Sequence, residues 1–99
     1  MDKQKNTIAI EDAHFAPFFN KTPVSIERGE GIYVWDEDGN KYVDFTAGWG
    51  VTCLGHAHPL IIEALSAQSR KIMQYPISGI TYSPARAKLL SLLMDILPE

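Results

Sequence analysis

Three short runs between residues 24 and 45 carry the chain's clearest periodicity. Val24-Ser25-Ile26-Glu27-Arg28 alternates apolar and polar positions, Ile32-Tyr33-Val34-Trp35 is rich in β-forming side chains, and Lys41-Tyr42-Val43-Asp44-Phe45 alternates again. Gly29-Glu30-Gly31 separates the first two runs as a turn. Asp36-Glu37-Asp38-Gly39-Asn40 separates the second and third, and its Asp-Gly and Gly-Asn pairs predict a hairpin. The expected unit is a small antiparallel meander. The period then lengthens. Ile61, Leu65 and Ile72 form a stripe at helical spacing behind His58-Pro59, where a proline suits the first helical position. Glu63 in the early turns and Arg70 and Lys71 near the end complement the helix dipole. Ser83-Pro84 caps and opens a second helix with an expected buried face of Leu89, Leu92, Leu93 and Ile96, and Pro98 ends it.

The remaining segments are less regular. Residues 1–12 are polar and read as a frayed end. His14 to Phe19 is aromatic-rich around Pro17 and needs a surface to bury against, either as a short turn of helix or as an extended strap. Thr46 to Gly55 reads as a loop with glycines at 48, 50 and 55, and Tyr75 to Tyr82 is broken by Pro76 and Gly79. Three regions result. Residues 1–22 are an N-terminal arm, 23–58 the β-meander and glycine-rich loop, and 59–99 a helical segment. The fold class is α+β: a small antiparallel β-meander followed by two helices.

Composition narrows the setting. At 99 residues the chain holds one domain at most. Its net charge of −3 gives no electrostatic reason to bind nucleic acid or an anionic membrane. No apolar run follows Lys3 and Lys5 as a secretory signal would, and none approaches the roughly 20 residues of a membrane span. The single cysteine, Cys53, excludes an intrachain disulfide and fits a reducing, cytoplasmic setting. The apolar last helix runs almost to Glu99, so further protein is expected beyond it.

No catalytic constellation emerges from the residues alone. His56 and His58 are spaced to face one side of a strand, but no third metal ligand lies near; a turn or N-cap role for His58 at the helix opening fits better. Cys53 lacks electropositive neighbours and reads as a small buried residue. Asp36, Glu37 and Asp38 belong to the hairpin turn, where solvated carboxylates keep ordinary pKa values. Gly48-Trp49-Gly50 combines backbone freedom with a large aromatic. That suits a pocket wall, and equally a tight turn around a buried indole.

The order of the motifs carries more. Arg28-Gly29-Glu30-Gly31, Val34-Trp35-Asp36, Asp38-Gly39, Tyr42-Val43-Asp44-Phe45, Ala47-Gly48, Gly55-His56-Ala57-His58-Pro59, Glu63-Ala64-Leu65 and Gln68 together resemble the opening of class III aminotransferases. These are pyridoxal-phosphate enzymes of fold type I, among them acetylornithine, ornithine and 4-aminobutyrate aminotransferases. The resemblance covers about residues 20–97. It implies that the chain is the N-terminal part of an α/β fold type I transferase, with the meander in the small domain and the helices leading into a large domain. The complete enzyme would be a homodimer moving an amino group from an amine or ω-amino acid to a 2-oxo acid such as 2-oxoglutarate. The family's phosphate-holding loop and Schiff-base lysine come later in its chains. Lys71 and Lys88 do not match the lysine motif. No catalytic residue is therefore carried over, and the segment alone is expected neither to bind pyridoxal phosphate nor to be active.

What the resemblance does assign is part of a substrate pocket. Trp49, six residues before the Gly-His pair, matches a position with a pocket-lining side chain. Ile77, Ser78 and Gly79 match the loop that reaches the site after the first helix. Ser and Gly there, in place of the aromatic or amide of many relatives, imply a roomier pocket. The alternatives are a non-catalytic interaction fragment, or a small binding domain, docking on a complementary chain.

Overall fold

The computed structural model describes residues 3–76 and 79–98. Its contacts divide into two units, Met1–Ala64 and Leu65–Glu99. The first holds helix α1 (Lys3–His14), strands β1 (Ile26–Glu30), β2 (Tyr33–Asp36) and β3 (Lys41–Val43), and a single turn α2 (Ala47–Gly50). Helix α3 (Pro59–Ser69) begins in the first unit and ends in the second, which also holds α4 (Pro84–Ile96).

The predicted meander is present, as an antiparallel sheet of order β1-β2-β3. The hairpin between β2 and β3 sits where the Asp-Gly pair predicted it. The Gly39 N–H donates to the Asp36 carbonyl at 3.0 Å, and Gly39 takes a φ of 88°, open to glycine at little cost. Val34 opposes Tyr42, and Trp35 opposes Lys41. β1 starts later than the alternation predicts. Ile26 pairs with Asp36 and Arg28 with Trp35, so Glu27 is the extra residue of an irregularity that shifts the register. Gly29 and Glu30 therefore lie in the strand, and the chain turns at Gly31 (φ 56°) and Ile32. Across the sheet the Arg28 guanidinium stands 3.7 Å from the centroid of a Trp35 ring, and Lys41 Nζ stands 3.6 Å from that of Tyr33. Both are contacts between a cation and the negative face of an aromatic ring.

Residues 3–14 are helical, not frayed. Lysine, glutamine, alanine and glutamate favour a helix, and polar contacts with the hairpin hold it. The Lys3 N–H donates to Asp38 Oδ1 at 2.9 Å, Thr7 Oγ1 donates to Glu37 Oε1 at 3.0 Å, and the Ser25 N–H reaches Gln4 Oε1 at 3.3 Å. Two of the hairpin carboxylates, Asp36 and Glu37, also depart from expectation. Asp36 is 1% exposed, the one buried side chain among the described residues. It accepts from the Asn40 N–H at 2.8 Å, Asn40 Nδ2 at 2.9 Å, Tyr42 Oη at 2.8 Å and the Asp38 N–H at 3.1 Å. Burial alone would raise its pKa. The donors from Asn40, Tyr42 and Asp38 outweigh burial and bring it down to about 2. Hydrogen bonds from Ser25 and Thr7 likewise lower that of Glu37.

α3 starts at Pro59 as expected, and the Leu60 N–H donates to His58 Nδ1 at 3.3 Å, the turn role foreseen for His58. Its dipole is not complemented as predicted, because Glu63 lies beyond the first turn and Arg70 and Lys71 follow the last helical residue; Ile72, the last residue of the predicted stripe, also lies past the helix end. α4 is capped by Ser83, whose Oγ accepts the Arg86 N–H at 3.4 Å. Its expected buried face is not buried within this chain. Leu89, Leu92 and Ile96 are exposed and Leu93 is half-buried. No hydrophobic side chain among the described residues is buried. No described helix is long and apolar enough to cross a membrane.

Candidate functional site

Strand β3 delivers the chain to Asp44, and the segment that follows is held by that carboxylate. Asp44 Oδ1 accepts the Thr46 N–H at 2.9 Å and the Thr46 hydroxyl at 2.7 Å, an Asx-type turn closing the near end of the loop. Asp44 Oδ2 meets His56 Nε2 at 2.7 Å and ties down the far end. Asp44 is drawn down to a pKa of about 2, first by Thr46 and then by His56. An ionised carboxylate only accepts, so the His56 proton facing it resides on Nε2. His56 is fixed in turn by its backbone. Its N–H donates to the Gly31 carbonyl at 2.8 Å, and its carbonyl accepts the Gly31 N–H at 3.0 Å.

Between these anchors the backbone winds left-handed. Ala47 (φ 48°), Gly48 (φ 55°), Trp49 (φ 58°) and Gly50 (φ 84°) all have positive φ. For Gly48 and Gly50 this is inexpensive. For Ala47 and Trp49 it costs roughly 1–2 kcal/mol each, because Cβ crowds the following carbonyl. Local hydrogen bonds resist relaxation: the Trp49 N–H donates to the Thr46 carbonyl and the Thr52 N–H to the Ala47 carbonyl, both at 2.9 Å.

The strained turn displays its aromatic side chain. Trp49 is 93% exposed, which removes the reading of an indole buried within this chain. Phe45 is 92% exposed close by in sequence. Two hollows adjoin the loop's base. One of about 180 Å³ is lined by Asp44, Ala47, Thr52, Cys53 and His56 among others, and one of about 480 Å³ by Arg28, Leu54, His56 and His58 with the Gly29–Gly31 backbone.

The other sequence-predicted positions fall as follows. Gly79 lies in a turn of the second unit, whereas Trp49 belongs to the first. Ile77 and Ser78 lie outside the described residues. Cys53 is exposed rather than buried within this chain, as are Val51 and Leu54 beside it. His56 and His58 do not converge on a metal. His56 is committed to Asp44, His58 turns to the first N–H groups of α3, and no metal-ligating cluster of three occurs among the described residues. The sequence reading missed the Asp44–His56 pair. A signal was available in Asp44-Phe45-Thr46, an aspartate two residues before a threonine at a strand end, which marks an Asx turn.

Comparison with known proteins gives a consistent result. A family model described as class-III aminotransferase matches residues 15–99. The chain is 36% identical over 93 residues to an acetylornithine aminotransferase of Methanocaldococcus jannaschii, covering 94% of this chain and 23% of that protein. It is 51% identical over 49 residues to a glutamate-1-semialdehyde 2,1-aminomutase of Chloroflexus aurantiacus, covering 50% of this chain and 11% of that one. The crystal structure of an acetylornithine aminotransferase from Elizabethkingia anophelis superposes with a TM-score of 0.79 at 34% identity, over 92% of this chain and 24% of that chain. The chain thus spans a quarter or less of each of these relatives.

Proposed function

This chain belongs to the class III aminotransferase family, with the fold type I architecture of its structural neighbours, and on that premise we propose that it forms the N-terminal, donor-selecting part of an enzyme moving an amino group from an amine or ω-amino acid to a 2-oxo acid. Acetylornithine- or ornithine-like donors, and 2-oxoglutarate as acceptor, are the expected substrates, and a homodimer is the expected assembly. Pyridoxal phosphate would act as the electron sink of the complete enzyme. The side chains around the Trp49 loop do not by themselves make its seat. The two hollows there are lined by no lysine, Lys21 is paired with Glu11 at 2.8 Å, and Lys41 lies over Tyr33. The segment's own part is to shape the donor pocket, and alone it is inactive.

The observation that carries this reading is the backbone at Trp49, held at a φ of 58° on a loop whose two ends are tied to the sheet. A side chain presented at such a cost, with glycines on both sides, has the character of a pocket wall. Ile77, Ser78 and Gly79 are proposed donor-binding residues on the resemblance alone. Trp49→Ala in the complete enzyme tests it. The kcat/KM ratio for a bulky against a short amine donor should change by about 10-fold or more, the scale of one hydrophobic pocket contact. An unchanged ratio with a large fall in melting temperature would return Trp49 to a structural role.

A second reading is favoured by the 51% identity to the Chloroflexus aurantiacus aminomutase. An aminomutase relocates the amino group within one substrate molecule and needs no separate acceptor. Assaying with and without a 2-oxo acid separates the two. Turnover that depends on the acceptor supports the transferase, and sustained turnover without it supports the mutase.

A further inference from the structure

We infer that Asp44 and His56 are positioning residues for donor selection, a pair whose contact holds the Trp49 loop in its pocket-forming shape. The inference rests on the reading of Trp49 as a pocket wall and extends it to side chains that reach no substrate themselves.

The loop's own hydrogen bonds, from the Trp49 N–H to the Thr46 carbonyl and from the Thr52 N–H to the Ala47 carbonyl, close its turn but do not tie its two ends together. Ala47 and Trp49 both sit in the left-handed region, which L-residues leave when nothing prevents it. One carboxylate spans the whole segment, with Oδ1 on Thr46 at its start and Oδ2 on His56 at its end. The pair is sheltered, the side chains being 12% exposed for Asp44 and 24% for His56, so water competes weakly for the contact. The anchor is itself rigid. His56 is bonded in both directions to the Gly31 backbone, and its ring lies against Gly29, where a Cβ would come within 2.6 Å of Cγ. Release of Asp44 from His56 would therefore free the loop while leaving the imidazole on the sheet. Trp49 would move and the donor pocket would change shape.

The test uses the complete enzyme carrying this segment. The kcat and KM for a short and a bulky amine donor are measured for wild type, Asp44→Ala, His56→Leu, Trp49→Ala and the double variant Asp44→Ala/Trp49→Ala, with conservative variants Asp44→Asn and His56→Gln. Asparagine keeps an acceptor for Thr46, and its amide N–H donates to His56 Nε2 once the imidazole proton moves to Nδ1; glutamine places an N–H near the Nε2 position. Asp44→Ala and His56→Leu should each change the bulky-to-short ratio by roughly 10-fold, mostly through donor KM, and Asn and Gln should restore most of it. In the Trp49→Ala background, Asp44→Ala should leave the ratio where Trp49→Ala alone put it. If Trp49→Ala shifts the ratio and neither Asp44→Ala nor His56→Leu does, or if the two effects simply add, the positioning pair is overturned and the pocket reading stands. If Trp49→Ala shifts nothing, the pocket reading falls and the pair with it. Should the truncations not fold, Thr46→Val, which removes one hydroxyl contact to Asp44, serves instead: a ratio shift of about twofold or more supports the pair, and an unchanged ratio overturns it.

Discussion

His56 leans against Gly29 so closely that a methyl group there would lie 2.6 Å from the imidazole Cγ and 2.7 Å from Cβ. The absent side chain of a strand residue is what admits the histidine that latches the loop.

Gly29→Ala should therefore force the ring away. Overpacking of this kind costs about 1–3 kcal/mol. The expected outcome is a lower melting temperature of the complete enzyme together with a changed donor ratio, read from thermal unfolding and steady-state kinetics. A stable variant with wild-type selectivity would show that the sheet yields more easily than the contact distances imply.

Asp36 predicts an acid limit. Its carboxyl is held down to about 2 from an ordinary 3.8, so the folded state favours the ionised form. The stability it lends is complete above the unfolded pKa and is lost as pH falls through the folded pKa, that is, between about pH 4 and about pH 2. Asp36→Asn places an amide among donors from Asn40 and Tyr42. It should unfold more readily at neutral pH and show a shallower further loss on acidification. Asp44, also at about 2, keeps part of the slope. Denaturant midpoints of the complete enzyme across this pH range, wild type against variant, make the measurement.

Ala47 carries left-handed strain that its side chain does not obviously repay. Ala47→Gly removes a cost of roughly 1–2 kcal/mol and adds unfolded-state entropy worth roughly 0.5–1 kcal/mol. A net stabilisation of up to about 1.5 kcal/mol is expected, visible as a raised denaturant midpoint of the complete enzyme. Destabilisation would mean that the methyl group packs against parts of the enzyme beyond this segment.

The 99-residue chain alone should self-associate or remain molten. No described hydrophobic side chain is buried, and Phe45, Trp49 and Tyr82 are each more than 90% exposed. Sedimentation and dye binding should report oligomers or loose apolar surface. A monomer with a sharp, concentration-independent unfolding transition would contradict this.

Mixed with pyridoxal phosphate, the isolated chain should form only scattered lysine adducts. Borohydride trapping followed by peptide mapping checks this. A saturable, stoichiometric adduct at one lysine would show a cofactor seat within the segment.

Much of the secondary structure was legible because it is local. The Asp36–Asn40 hairpin follows from turn chemistry, and the starts of α3 and α4 from Pro59 and from Ser83-Pro84, all signals a few residues long. The family was legible from ordered short motifs, and Trp49 as a site candidate from its flanking glycines and the resemblance. Other features depended on residues distant in sequence. Residues 3–14 looked too polar to order, and they form a helix whose partners are Ser25 and the hairpin carboxylates, 21 to 35 positions away. Asp36 reads as solvated in the sequence, and the surrounding chain buries it with five donors on its carboxylate. For His56 the sequence offers no partner, its spacing to His58 lacking a third metal ligand. Only the pairing of its backbone with Gly31 places its ring against Gly29 and its Nε2 on Asp44, twelve residues back. Period and turn propensity are properties of neighbours along the chain. Burial, pKa and the latch arise from groups that meet only when the sheet has formed, and that meeting was decided by tertiary structure.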